Sequence, residues 1–254
     1  VGAAVEAGLD AGRPHRIRVT HFAEQLARKR IEQRLGRAIV QVAFGEGLAT
    51  VFREAGAHVV MAGPAHRPNT TELYEAVVGT GAAEVVLVPN ARDIATSAEA
   101  AASRAQESGD QRVAVVPSYS QVQGLAALAV HDPGRSFGAD LVEMIAASSH
   151  ARSGAVTIAD KQAITMGGPC EPGDVLGVVE GDFAIVGSDL FDVAKGVLDK
   201  MLGGGGELVT VLAGAGGAEL AQRCVDYLAE AYVTVDVVSY TGGQQRYAVL
   251  FGVE

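Results

Sequence analysis

Small polar residues recur where apolar stretches give way to helix starts. The segments GPAHRPNTTE (63–72), VPNARD (88–93) and VPSYSQVQGLAAL (116–128) each pass from a β-branched run through proline to a residue able to cap a helix. Asn69 with Glu72, Asn90 with Asp93 and Ser120 with Gln123 have the capping-box spacing, in which a side-chain oxygen accepts free N–H groups of the first turn. Helix N-termini gathered at one sheet edge also present N–H groups to an anion. Capping explains each of them singly; three together make this edge a candidate ligand or docking site. His66 and Arg67 lie in the first segment, where Arg67 could offer a guanidinium to a carboxylate or phosphate. A solvated loop is the competing reading for both.

Other chemistries find less support. LAGAGGAEL (212–220) follows an apolar run and opens a helix but lacks the full G-x-G-x-x-G spacing, so a dinucleotide site is the weakest of the readings weighed. GEGLATVF (45–52) has no Lys-Ser/Thr and is no P-loop; GGGG (203–206) reads as a helix C-cap and turn. None of the six histidines falls at helical spacing from another His, a Cys or an Asp/Glu pair that would pre-form a metal face, so no metal site is expected. Ser118 and Ser120 lack a G-x-S-x-G context, and no catalytic residues are assigned.

The elements that must position these residues follow a regular pattern. AIVQVAF (38–44), HVVMAG (58–63), EVVLVPN (84–90) and RVAVVPS (112–118) are each followed by a helical segment, at 46–56, 71–80, 91–107 and 121–130. Apolar strands alternating with helices indicate a parallel sheet covered on both faces, with ligand sites beyond the carboxyl ends of its strands. After a helix over 137–150 the texture changes. SGAVTIAD, DVLGVVEGDFAIVG with a hairpin turn at Glu180-Gly181-Asp182, ELVTVLAG, VTVDVVSY and RYAVLFGVE supply strands, with helices near 189–202 and 217–231. The prediction is an α/β protein of two lobes: an N-terminal parallel β-α-β lobe over 38–135 and a C-terminal mixed-sheet α/β lobe over 136–254.

Composition bounds the rest. The 254 residues are 48% hydrophobic and 20% charged, with two cysteines, enough for a folded core and too few for a disulfide framework. No apolar run reaches the length of a membrane span and no signal peptide opens the chain, so a cytoplasmic protein without membrane insertion is expected. Residues 1–37 carry a net charge of +4 and the remainder −14. That acidic body disfavours nucleic acid. The chain opens on Val1; residues 1–21 read as the remnant of a preceding domain, with a helix ending near Gly12 and a strand over 15–20, and 22–37 as a linker helix.

From Val42 to Glu254 the chain resembles the C-terminal region of the ATP-binding subunit of bacterial fatty acid kinase, whose family has a dihydroxyacetone-kinase-like (DhaL) N-terminal domain. The residues that carry the resemblance are VAFGEGLATVFREAGA, PNTTEL, VLVPNARDI, VAVVPSYSQVQGLAAL, SGAVTIAD and the closing GGQQRYAVLFGVE, an ordered set spread over most of the chain.

The resemblance implies a DegV-like fold in this region. It implies no cofactor in this chain, ATP and magnesium being expected in a separate N-terminal domain, and a piece that is inactive alone within an ATP-dependent kinase. It implies a DegV-like fatty-acid-binding carrier protein as partner, and leaves homodimerisation open. Carried over by position, the elements facing a ligand or partner are Gly45, Gly47, Gly63, Asn69 and Thr70 with Pro68, Asn90, Ser118, Gln123 and Gly242, Gly243 and Gln244, to which His66 and Arg67 are added from this chain's own loop. The chain departs from the family at Pro64-Ala65-His66-Arg67, in place of a Gln-Thr-Met-Asn run, and at Ala91 and Gln245. A docking region of a kinase subunit is thus weighed against a small-ligand or fatty-acid-binding DegV-like module acting without phosphoryl transfer.

Overall fold

The computed structural model describes residues 36–109 and 111–254. The opening helix, the strand over 15–20 and nearly all of the linker helix lie outside the described residues. The β-α alternation read from the sequence is present as β1 (Arg37–Ala43), α1 (Glu46–Glu54), β2 (His58–Met61), α2 (Thr70–Gly79), β3 (Glu84–Val88), α3 (Arg92–Glu107), β4 (Arg112–Val115) and α4 (Gln121–Ala129). These four strands form one parallel sheet in the order β2-β1-β3-β4.

Helix α5 (Phe137–His150) leads to β5 (Arg152–Ile158), β6 (Ala163–Thr165), β7 (Gly168–Cys170), β8 (Val175–Val179), β9 (Asp182–Gly187), α6 (Leu190–Leu202), β10 (Leu208–Ala213), α7 (Ala218–Ala231), β11 (Asp236–Thr241) and β12 (Val249–Val253). Six of these strands make the mixed second sheet, β11-β10-β12-β5-β8-β9, in which only the β10–β11 pair is parallel. The β8–β9 turn falls where expected, with Glu180 and Gly181 both at positive φ, 53° and 93°. The β6–β7 hairpin is an addition to the expected elements: its strands have three residues each, and KQAITMGGPC reads as a glycine-rich loop.

Strand alternation divides the core into layers. Val40, Val42, Val85 and Leu87 pack with Leu73 and Val77 of α2 and Ile94, Ala98 and Ala101 of α3. Their neighbours Ile39, Ala43, Val86 and Val88 face the opposite way, onto Leu48 and Phe52 of α1, Val122 and Ala127 of α4 and Met144 of α5. The same cluster takes in Ala155, Leu212 and Leu250 of the second sheet, so α1, α4 and α5 lie between the two sheets. Val156, Val209, Val211 and Phe251 point to the far side, onto α6 and α7. The result is helix, sheet, helix, sheet, helix. Because the middle helices are shared, the two lobes have one continuous interior, and the strand ends of the first sheet abut loops of the second.

Candidate functional site

The carboxyl ends of β1, β3 and β4 converge on a knot of buried amides. Asn90, just past β3, sits at φ 57°, a left-handed conformation that asparagine adopts more readily than most residues. Its Nδ2 donates to Gln41 Oε1 (2.6 Å) and to the Val42 carbonyl (2.9 Å). Ser118 Oγ accepts from Asn90 N and donates to Asn90 Oδ1, both at 3.0 Å. Gln41 Nε2 donates to the Gly124 carbonyl (3.1 Å), and Gln121 bridges Phe44 N and the Val42 carbonyl. Asn90 and Ser118 are 2% and 0% exposed. The knot needs Gly124 on α4, since a Cβ there would occupy the space of the Asn90 amide. Leaving any one of these amides unpaired would cost about 1–3 kcal/mol. Their hydrogen-bonding capacity is spent on one another and on backbone.

The glycine candidates form a second contact, between lobes. Gly45, at φ 132°, is the N-cap of α1, and Leu48 N donates to the Gly242 carbonyl (3.1 Å). A Cβ on Gly47 would fall on the Thr241 carbonyl oxygen, and one on Gly45 would strike the Gly242 carbonyl oxygen. Gly243, at φ 73°, continues the turn. Gln244, 2% exposed, donates from Nε2 to the Leu212 carbonyl (3.0 Å), while its Oε1 has no protein partner. The glycine-rich turn before α7 is also filled from within: Gly214 N and Ala215 N donate to the carbonyls of Ala248 and Gln244, and the Ala248 carbonyl oxygen sits where a Gly217 Cβ would be. The close backbone approach that glycine permits there is made by this chain itself.

Around these buried groups runs an accessible rim. Asn69 makes the full capping box of α2, its Oδ1 accepting from Thr71 N and Glu72 N while Glu72 Oε2 accepts from Asn69 N; Thr70 opens the helix. Gly63 and His66 pair as an isolated antiparallel bridge, and His66 Nε2 lies 3.4 Å from Glu72 Oε1. Arg67 is held by Asp93 (2.8 Å) and the Gly63 carbonyl, with its guanidinium over the Phe44 ring. Two capping expectations need correction. Asn90 does not cap α3, whose N-cap is Ala91, because the knot takes its side chain. Ser120 caps α4 through Val122 N, but Gln123 accepts from Tyr119 N and donates to the Ala151 carbonyl rather than closing the box on Ser120 N.

Twelve of the thirteen candidates therefore separate into three groups, and Gln123 stands apart. Asn90 and Ser118 are buried in the knot; Gly45, Gly47 and Gly242 to Gln244 interlock the lobes; Gly63, His66, Arg67, Asn69 and Thr70 lie on the rim, and Gln123 ties α4 to the end of α5. Reading by motif overlooks Gln41 and Gln121, though a lone Gln inside the apolar run AIVQVAF is a visible signal of a buried polar contact. It also overlooks Arg92, stacked over Tyr119 at 4.9 Å.

The opposite end of the first sheet holds a cluster of ionisable side chains. Asp140 of α5, fully buried, accepts from Arg37 (2.8 Å), His131 Nδ1 (2.7 Å) and Asp132 N (2.9 Å), and Arg37 also pairs with Glu84 (2.8 Å). Burial pushes the Asp140 carboxyl upward, but the Asp132 N–H, His131 and Arg37 together outweigh it and hold the group below its ordinary value. Burial pushes the Cys224 thiol up to about 12, which removes it as a nucleophile. Among the described residues no three His, Cys, Asp or Glu side chains cluster as metal ligands, and no helix is long and apolar enough to cross a membrane.

Two shared-interior sheets with helices between and outside them define a class. A DegV family protein from Corynebacterium glutamicum aligns over 86% of this chain and 97% of its own, with a TM-score of 0.62 and 11% identity. A protein from Thermotoga maritima, described as revealing a fatty acid binding function, gives 0.62 over 87% of this chain and 99% of its own, again at 11% identity. A DegV family protein from Thermus thermophilus, described for its fatty acid binding, gives 0.61 over 87% and 100% at 14% identity. At such identities the likeness is one of fold, and the fold is DegV-like.

The sequence is more specific. The family model for the C-terminal region of FakA-like fatty acid kinase proteins matches residues 38–254, and this chain belongs to that family. Protein YloV of Bacillus subtilis strain 168 is 31% identical over 218 residues, covering 85% of this chain and 39% of that protein. An uncharacterized protein of Staphylococcus haemolyticus is 28% identical over 236 residues, 92% of this chain and 41% of its own length. The chain thus spans about two fifths of the length of these curated relatives.

Proposed function

We propose that this chain is the region of a fatty acid kinase subunit that engages a separate, DegV-like acyl-carrying protein, while ATP and magnesium are bound by a different region of the subunit. Family membership over 38–254 supports the kinase context. The observation that carries the docking role is the state of the strand-end edge. On a fold shared with proteins described as binding fatty acids, the buried polar side chains Gln41, Asn90, Ser118 and Gln121 are satisfied by one another and by backbone, and the interlobe glycines are filled by backbone. That leaves few buried donors for an acyl carboxylate and favours recognition through the exposed surface. On this reading phosphoryl transfer belongs to the region of the subunit that binds ATP.

Isothermal titration of the full chain with the DegV-type fatty-acid-binding proteins of the same organism, each loaded with palmitate, tests this. Saturable binding without ATP hydrolysis is expected; absence of heat with every carrier overturns it. The second reading, a fatty-acid-binding module acting without phosphoryl transfer, draws on the described binding of the Thermotoga and Thermus neighbours. Native mass spectrometry of the chain with free palmitate would favour it if a stoichiometric adduct formed.

A further inference from the structure

The β6–β7 hairpin breaks the rule that outward positions of a short strand are polar. Ala163 and Thr165 turn partly inward, while the residues between and after them, Ile164 and Met166, are 92% and 82% exposed, and Ile158 leading into the hairpin is 52% exposed. Scattered exposed apolar residues need no explanation, but two so close together on one short hairpin form a patch.

The hairpin is anchored. Cys170 packs with Ala159 and Leu176 and against Ala163, Phe183 and Val186. Gly167 N donates to the Phe183 carbonyl (2.9 Å), Thr165 Oγ1 to the Gly168 carbonyl (2.7 Å), and Gln162 to Glu171 (2.7 Å). A Cβ on Gly167 would collide with Ala184 and Ile185, so the tip lies flat on β9. The two apolar side chains are thereby presented from a fixed backbone, which lowers the entropy lost on binding.

The surroundings state what could cover the patch. Asp160, Glu171 and Asp182 are exposed around the hairpin and Asp174 is half-buried, against two cations, Lys161 at the hairpin and Arg92 beside the Gly181 turn. Such a field repels anionic lipid and nucleic acid and complements Lys and Arg. The surface also continues towards the strand-end rim: β9 follows the Glu180–Asp182 turn, and a Cβ on Gly181 would lie 3.8 Å from Nη2 of Arg92, which stacks on half-exposed Tyr119.

We propose that the β6–β7 hairpin is the apolar anchor by which this chain grips a separate folded protein, whose docking face has an apolar recess ringed by Lys and Arg. The inference rests on the docking reading above and names the surface and the chemistry of the partner for it.

The test is calorimetric titration of the full chain, wild type and the double variant Ile164→Asp/Met166→Asp, with the palmitate-loaded DegV-type proteins, using Val233→Asp as a control at a distant residue that is 80% exposed. The double variant is expected to keep its Tm and to bind about thirty-fold more weakly, the size of an interface hot spot. The control keeps wild-type affinity, and wild-type affinity falls as salt is raised. If the double variant loses stability, Ile164→Ser and Met166→Gln singly are each expected to weaken binding about five-fold. Undiminished binding by the hairpin variants overturns this proposal and leaves the docking reading standing. Binding indifferent to salt overturns the basic ring. Failure of the wild type to bind any carrier removes both. Wild-type capture by phosphatidylglycerol vesicles that the double variant loses would make the hairpin a lipid anchor and overturn the proposal.

Discussion

The two ends of the first sheet are both buried and both polar, yet they are built from different groups. Where the strands finish, neutral amides and a hydroxyl satisfy one another. Where they begin, Arg37, Asp140, His131 and Glu84 form an ionic cluster. A neutral knot fixes geometry independently of pH and offers nothing to titrate. An ionic cluster is held only while its charges match, and removing one partner strands another in a poorly solvated place. The difference teaches that the end where α/β sheets usually bind ligands is here filled by the protein's own amides, with the glycine contact between Gly45, Gly47 and Gly242 beside them joining the lobes.

Substitutions at three positions would break or sharpen that contrast. Asp140→Ala removes the buried acceptor shared by Arg37, His131 and Asp132 N, leaving Arg37 with Glu84 alone as its carboxylate partner, and is expected to cost about 3–5 kcal/mol in urea unfolding. The cost also depends on pH. Because the folded carboxyl sits below its ordinary value of 3.8, its contribution is fully present above that value and is lost as pH falls through the lower folded value. In Asp140→Asn that part of the acid limb should vanish; identical acid limbs would contradict the ionic account. Gly47→Ala forces a methyl onto the Thr241 carbonyl between two backbones that cannot yield, and is expected to cost about 3 kcal/mol, read as a lowered Tm. Asn90→Ala strands the Gln41 amide and puts alanine at positive φ, for about 2 kcal/mol, and this loss should be the same at acid and neutral pH.

How much of this is legible in the sequence differs by region. Both sheets can be read because β-branched runs alternate with amphipathic segments at regular intervals, and the capping box at Asn69 is a local pattern that the structure reproduces. Asn90 reads as a cap because local spacing cannot show that Gln41 and Ser118 lie beside it. The ionic cluster joins residues about a hundred positions apart, and Arg37 reads as one more cation in a basic opening segment. The β6–β7 hairpin escapes because three-residue strands have too few positions to display a period. Gly45, Gly47, Gly242 and Gly243 stand out as a set in the sequence, but only the fold brings the two pairs together.

On the proposed docking role, this fold engages a protein through its surface and does not receive a free acyl chain at the strand-end edge. Hydrogen–deuterium exchange on the full chain tests it directly, comparing free palmitate with a palmitate-loaded DegV-type carrier. The account predicts new protection on exposed segments with the carrier and unchanged exchange at 41–47, 89–91, 116–124 and 241–245 with free palmitate. Protection of those segments by free palmitate, with none from the carrier, would contradict it.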